Sequence, residues 1–241
     1  MTFCLLVRHG QSEANIGGTL AGHLDVPLTA AGTEQARAVG TALREVPLAH
    51  VVTSPLSRCR ATAEEICALQ PHGCTLTADD AFAEVRYGAW TGRALKDLAK
   101  EDLWRTIQSA PSRVTFPADP DDRHETEAMS EMADRVWAGW DGWERRVAQE
   151  HGEQAIWVVV SHGDVIKALL ARALGLDLDA FQSIVIDPGS VSLVHRHAER
   201  TAVLGMNLRD DAYRRLSQAA AAAPDDAQAE SSVGVVGGGD A

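Results

Sequence analysis

The 241-residue sequence predicts an α/β protein built on an open sheet. Two stretches carry that reading. Phe3-Cys4-Leu5-Leu6-Val7 runs into Arg8-His9-Gly10, and Ala155-Ile156-Trp157-Val158-Val159-Val160 runs into Ser161-His162-Gly163. Apolar runs of this length and β tendency read as buried strands. Each delivers a His-Gly pair at its carboxyl end, where open α/β sheets bind their ligands. The repeat of the arrangement predicts two histidines meeting at one end of one sheet.

Size and charge narrow the function classes. The length is enough for one sizeable core, so a second full domain is not required. A formal net charge of -12 disfavours nucleic acid or an anionic membrane as the main partner. It allows a small anionic substrate, provided that local arginines make one pocket positive. No apolar run approaches the roughly 20 residues that span a bilayer, and no signal-like segment opens the chain. Cysteines at 4, 59, 67 and 74 form no CxxC pair. The expected state is four reduced thiols in a cytoplasmic protein.

Each element has its own signal. Residues 11 to 28 hold three glycines and a proline among polar residues and read as a long loop, with a helical start near Ser12 to Asn15. Thr29 caps a helix whose apolar face is Ala36, Val39, Gly40 and Leu43. Val51-Val52 is a short strand stopped at Thr53-Ser54-Pro55, and Pro55 opens a helix to about Leu69. That helix carries Arg58 one turn in. Thr75 to Thr77 reads as a short strand. Residues 82 to 92 mix two glycines with three aromatics, as a loop with large side chains packed down. Leu95 to Ile107 reads as a helix and residues 111 to 125 as a Pro/Asp-rich loop.

A long helix from about Glu127 to Glu150 presents Met132, Val136, Trp140, Trp143 and Val147 on one face, for a core or a dimer seam. After the second His-Gly strand, Gly163 opens a helix ending near Gly175. Ile184 to Ile186 and Ser190 to His195 read as strands joined by Asp187-Pro188-Gly189, with Thr201 to Met206 as a last edge strand. The domain is expected to span residues 1–216. The alanine-rich, acidic and glycine-rich stretch 217–241 reads as a flexible tail.

Arg8, His9, Arg58 and His162 fall at predicted strand ends, with Glu84 in a loop that can reach them. Two guanidinium forks suit phosphate oxygens. Backbone N–H groups at the helix starts after Gly10 and Gly163 add donors. A neutral histidine can attack phosphorus, and a protonated second one can neutralise charge on the equatorial oxygens. A carboxylic acid can then protonate the leaving alkoxide and activate water, and Glu84 is the candidate. Metal chemistry has little support: no HxxxH pair occurs, and an arginine sits beside His9. There is no GxxxxGK[ST] loop, no GxGxxG after a strand and no GxSxG elbow.

With these residues in place, the chain resembles the histidine phosphatase superfamily, which also holds the cofactor-dependent phosphoglycerate mutases. The matching segments are Leu6 to Asn15, Leu28 to Ala36, Ser54 to Ala63, Glu84 with Gly88 and Gly92, and Ser161-His162-Gly163. They occur in family order across roughly residues 3 to 205. More narrowly, the chain resembles an actinobacterial subgroup of phosphomutases and phosphatases with glycine-rich ends. The resemblance implies a three-layer α/β/α sandwich with a mostly parallel sheet, and no metal or other cofactor. It implies His9 as the phosphorylated nucleophile, with His162, Arg8 and Arg58 clamping the phosphoryl group. Glu84 would be the proton donor and Asn15 a further contact.

Two departures from the family pattern stand out. A Gly-Glu-Ser triplet common before the long helix is replaced by residues 122 to 127, where Glu125 or Glu127 can take over its role. Glu84-Val85-Arg86-Tyr87-Gly88 is similar to the mutase version, in which basic and tyrosine side chains hold a carboxylate; that makes Arg86 and Tyr87 substrate-binding candidates. The mutase insertion that should follow is missing, and Thr91 stands where many phosphatases have an acidic residue. The leading expectation is therefore a metal-independent phosphomonoesterase for a small phosphorylated metabolite. A phosphomutase and a non-enzymatic phosphoryl-ligand binding protein are the alternatives. A homodimer is compatible with the sequence. The acidic residues 119 to 127 suggest a lid that would favour an amino-bearing ester.

Overall fold

A computed structural model describes residues 2–197 and 200–209. The tail expected at 217–241 lies outside the described residues. Six strands form one sheet in the order β3-β2-β4-β1-β5-β6. In chain order the elements begin with β1 (Phe3–Arg8), α1 (Glu13–Gly17), α2 (Ala30–Ala42), β2 (Leu48–Thr53), α3 (Ser57–Ala68) and β3 (Leu76–Ala78). They continue with α4 (Leu95–Leu98), α5 (Asp102–Ser109), α6 (Met129–His151), β4 (Ile156–Ser161), α7 (Gly163–Ala173), β5 (Val191–His197) and β6 (Arg200–Leu208). β1, β2, β3 and β4 pair parallel; β5 and β6 add an antiparallel edge.

Alternate residues of a strand point to opposite faces of the sheet, and this splits the core into two layers. Leu5, Val7, Val51, Val158 and Val160 pack with α2 and α3. Cys4, Leu6, Val52, Trp157 and Val159 pack with α6 and α7 on the other side. The expected three-layer α/β/α sandwich with a largely parallel sheet is thus the fold observed. Each fully buried Leu or Val contributes roughly 1.5–3 kcal/mol, so the two layers supply most of the drive to fold. The apolar face of α6 serves the core: Met132, Val136 and Trp140 are fully buried and Trp143 and Val147 nearly so.

Three expectations differ from the structure. Ile184 to Ile186 is extended but joins no strand, because β5 already occupies that edge of β1. Its Ile186 carbonyl instead accepts a hydrogen bond from Arg8 Nη1 at 2.6 Å. The helix expected over 95 to 107 is two short helices; the break falls at Glu101, whose carboxylate is held by Trp90 Nε1 and Arg93. Cys67 and Cys74 are joined in a disulfide, contrary to the expectation of four free thiols. The turn between α3 and β3 brings their Cα atoms within 5.4 Å, a closeness that no CxxC spacing announces. Cys4 and Cys59 are free and buried. Among the described residues no helix is long and apolar enough to cross a membrane.

Candidate active site

Strand register brings the two histidines together. β1 and β4 pair in parallel with Arg8 opposite Ser161, so His9 and His162 leave the sheet at the same level. The His9 N–H donates to the Ser161 carbonyl at 3.0 Å. The two rings meet edge to face with centroids 5.2 Å apart. The chain can turn sharply after His9 because Gly10 and Gly32 press backbone against backbone; a Cβ on either would collide with the other segment's carbonyl.

Hydrogen bonding sets the state of each ring. His9 Nδ1 lies 2.7 Å from the Gly10 carbonyl, which can only accept, so the proton sits on Nδ1 and the Nε2 lone pair is left for chemistry. Burial, then the charges of Arg58 and Arg8, hold the His9 pKa well below the usual value. The ring is neutral at pH 7, as a nucleophile requires. His162 is fully buried. Ser54 Oγ accepts from the Leu56 N–H and lies 2.8 Å from His162 Nε2, which holds the ring in place. The other ring nitrogen, Nδ1, lies 3.7 Å from Glu84 Oε2. Burial and Arg58 also push the His162 pKa well down. Desolvation and the nearby guanidinium thus oppose the protonation of His162.

Glu84 is held in a loop after β3, with Oε1 accepting from the Val85 N–H at 3.0 Å. Burial and then the negative charge of Asp164 raise its pKa to about 7. It can therefore give or take a proton near neutrality. Tyr87 donates from its hydroxyl to Asp164 Oδ2 at 2.8 Å. Burial and Asp164 raise the phenol well above its usual pKa, so it stays a donor.

The guanidinium groups are anchored by carbonyls. Arg58, buried in the first turn of α3, donates to the Leu24 and Gly22 carbonyls at 3.0 and 2.8 Å and so shapes the loop after β1. Arg8 is held by Ile186, and its buried Nε makes no hydrogen bond among the described residues. Gly163 opens α7, whose first-turn N–H groups lack helical partners. A side chain there would press on the Arg8 guanidinium, 3.3 Å from Cζ. Asn15 spends its Oδ1 on Ser12 as part of the α1 cap, which leaves its amide Nδ2 to offer an anion.

Arg8, His9, Asn15, Arg58, Glu84, Tyr87, Gly163 and Asp164 line one cavity of about 170 Å³. A larger cavity of about 650 Å³ opens at the other end of the sheet, around Val46, Leu48 and Ile156; its Arg44, Glu45, His72 and His151 are all exposed to solvent. Arg86 is not brought to the reactive cavity. Its side chain pairs with Glu127 at 3.2 Å and with Glu125 at 2.7 Å, the latter an ion pair without an aligned hydrogen bond. The acidic residues 119 to 127 do not line it either; Asp119 and Asp121 face Arg123.

Four residues of the surroundings escaped sequence reading. Arg135 donates to the carbonyls of Asp80, Ala81, Ala83 and Glu84 and pairs with buried Glu127 at 2.7 Å. His23 Nε2 sits 2.7 Å from the Glu84 carbonyl. These two hold the turn that aims Glu84. Ser54 orients His162, and Asp164 charges the wall beside Glu84. Only Ser54 and Asp164 carry a signal, each lying beside a strand end; Arg135 and His23 look like ordinary surface residues in sequence. Among the described residues no group of three or more His, Cys, Asp or Glu could hold a metal ion.

The model of the histidine phosphatase superfamily, branch 1, matches residues 4–209. This chain belongs to the histidine phosphatase superfamily. Phosphoserine phosphatase 1 of Hydrogenobacter thermophilus is 30% identical over 211 residues, covering 86% of this chain and 93% of that protein. "Probable phosphoglycerate mutase GpmB" of Shigella boydii is 32% identical over 191 residues, covering 78% and 82%. The alpha-ribazole phosphatase of Shigella flexneri superposes with a TM-score of 0.69 at 26% identity, covering 86% of this chain and 96% of that one. YhfR of Bacillus stearothermophilus, at 23% identity, shares the fold with a TM-score of 0.75, covering 87% and 98%. Membership ties the chain to a superfamily of phosphatases and phosphomutases that act on small phosphorylated metabolites without a metal. The matches reach the superfamily and not the actinobacterial subgroup.

Proposed function

We propose that this histidine phosphatase superfamily member is a phosphomonoesterase acting through a phosphohistidine at His9. The observation that carries the proposal is the pairing of a neutral His9, its Nε2 free, with a Glu84 that titrates at about 7 on the wall of the same cavity. Nε2 attacks phosphorus and the P–O bond to the alcohol breaks. Protonated Glu84 gives its proton to the departing oxygen. The resulting carboxylate then takes a proton from water, whose oxygen attacks phosphorus as the N–P bond breaks. Phosphate leaves, His9 is again neutral and Glu84 is again protonated.

Arg8, Arg58, Asn15 and the Gly163 N–H supply donors to the phosphoryl oxygens, and His162 stands behind them with its ring against His9. A bound dianion would raise the His162 pKa and draw a second proton onto the ring. The test is phosphate release from a panel of phosphomonoesters in the presence of chelator. Wild type should turn over and His9→Ala should lose at least about 10³-fold in kcat, as removal of a nucleophile does. Quenching the wild type in alkaline denaturant should trap phosphate on histidine, labile to acid and stable to base. Full activity in His9→Ala would sink the reading.

The mutase relative at 32% identity favours a second reading, a phosphomutase with the same chemistry. It predicts isomerised product and stimulation by a bisphosphate. A phosphoryl-ligand binding protein without turnover is the third reading, and Glu84 weighs against it, since binding alone needs no proton donor.

A further inference from the structure

A second cavity, of about 240 Å³, adjoins the phosphoryl cavity; Leu20, Tyr87, Leu95 and Asp164 line both. Its remaining walls include Trp90, Trp104, Ile107, Phe116 and Met129. The rings are held in place. Trp90 donates from Nε1 to Glu101 at 2.9 Å and packs edge to face on Phe116 with centroids 5.7 Å apart. Tyr87 meets Phe116 at 4.9 Å and is fixed by Asp164. Trp104 and Ile107 come from α5, an amphipathic helix with no fully buried residue, which turns these two side chains onto the cavity. Such a slot offers aromatic faces and edges to a flat guest without having to reorganise.

Charge is the second observation. Among the described residues lining the two cavities, Arg8 and Arg58 are the arginines and no lysine occurs; both line the phosphoryl cavity alone. The carboxylates are Glu84 and Asp164. Arg86 is occupied by Glu125 and Glu127, and Lys167 leans on the Phe181 ring, donates to Gln182 and pairs with Asp164 Oδ1 at 4.0 Å. Lys167 lies behind the wall and is already matched by Asp164, so a leaving-group carboxylate would meet no lining cation in this cavity and would have to compete with Asp164 for that charge.

Granted the phosphomonoesterase reading, we propose that this cavity is the leaving-group subsite and that it selects esters of planar aromatic alcohols lacking a carboxylate. It would disfavour esters of the phosphoserine and phosphoglycerate kind.

The experiment compares benzyl phosphate, ethyl phosphate and phosphoserine, all alkyl esters, so that leaving-group chemistry differs less than shape and charge. Benzyl phosphate should exceed ethyl phosphate in kcat/KM by about tenfold or more, and ethyl phosphate should exceed phosphoserine by a similar factor. Trp104→Ala should shrink the first ratio, and Ile107→Ala serves if that variant does not fold. Asp164→Asn should shrink the second. Equal rates for benzyl and ethyl phosphate, or phosphoserine as the best ester, would overturn the proposal. Binding separates it from the hydrolase reading. In His9→Ala, benzylphosphonate should quench tryptophan fluorescence at a concentration about tenfold or more below ethylphosphonate. If no ester is hydrolysed but that preference appears, the hydrolase reading falls and the subsite stands. Equal affinity for the two phosphonates overturns the subsite whatever the turnover.

Discussion

Glu84 is the residue on which most of the pH behaviour turns. Its folded pKa of about 7 stands against 4.5 for an unperturbed carboxyl, because burial and Asp164 both penalise the anion. The native state thus binds this proton more tightly than the unfolded chain does. The linked stability is full below about pH 4.5 and is lost as pH rises through about 7, by roughly 3 kcal/mol at the plateau. Glu84→Gln, which has no proton to lose, should melt higher than wild type at pH 8 and not at pH 4.5. Thermal melts of both proteins at the two pH values check this. The same variant should lower kcat by about 100-fold and remove the fall in kcat above about pH 7 that loss of a general acid predicts. His9 titrates in the opposite sense. Its pKa lies below 6.5, so protonation of the nucleophile should cut kcat/KM only on the acid side of that value. A wild-type pH profile reads both limbs.

The elements matter through what they hold. α6 contributes Arg135, and that side chain caps four carbonyls of the turn bearing Glu84 while neutralising buried Glu127. Arg135→Ala strands a carboxylate that is 7% exposed, though Arg86 remains beside it. Removing one partner of a buried pair typically costs about 3–5 kcal/mol, so a loss at or below the low end, about 3 kcal/mol, is expected by urea denaturation. Adding Glu127→Gln should restore part of that stability, a coupling that a double-mutant cycle measures. The Glu84 turn remains uncapped in the double variant, so its kcat should not recover in step. Equal recovery of stability and kcat would mean that Arg135 does not position Glu84. The pairing also explains why Arg86 does not reach the cavity: two glutamates from residues 125 and 127 compete for it and win at short range.

On the scale of the whole molecule, chemistry and stapling sit at opposite ends of the sheet. The carboxyl ends of β1 and β4 carry the reactive groups. The Cys67–Cys74 disulfide ties the last turn of α3 to the segment before β3 and closes a loop of only 7 residues' separation. A loop this short limits the chain entropy that it removes, to about 2 kcal/mol. Reduction, or Cys67→Ser, should lower the melting temperature by a few degrees and leave kcat/KM within about twofold, as calorimetry and kinetics would show. The order of strands and helices was legible in the sequence, because apolar runs and helical periodicity are local properties. So was the placing of Arg8, His9, Arg58 and His162, because strand ends and helix starts announce themselves by abrupt changes in residue type. The path of Ile184 to Ile186 was not legible, since an apolar run does not reveal whether a sheet edge is free. Nor were the roles of Arg135, His23 and Asp164, the turning of Arg86 away from the cavity, or the meeting of Cys67 with Cys74. Those depend on distances between segments far apart in the chain or across a turn. The sequence by itself determined which groups this protein brings to one sheet end. Only the tertiary structure decided their protonation, because burial and neighbouring charge are properties of packing and not of order along the chain.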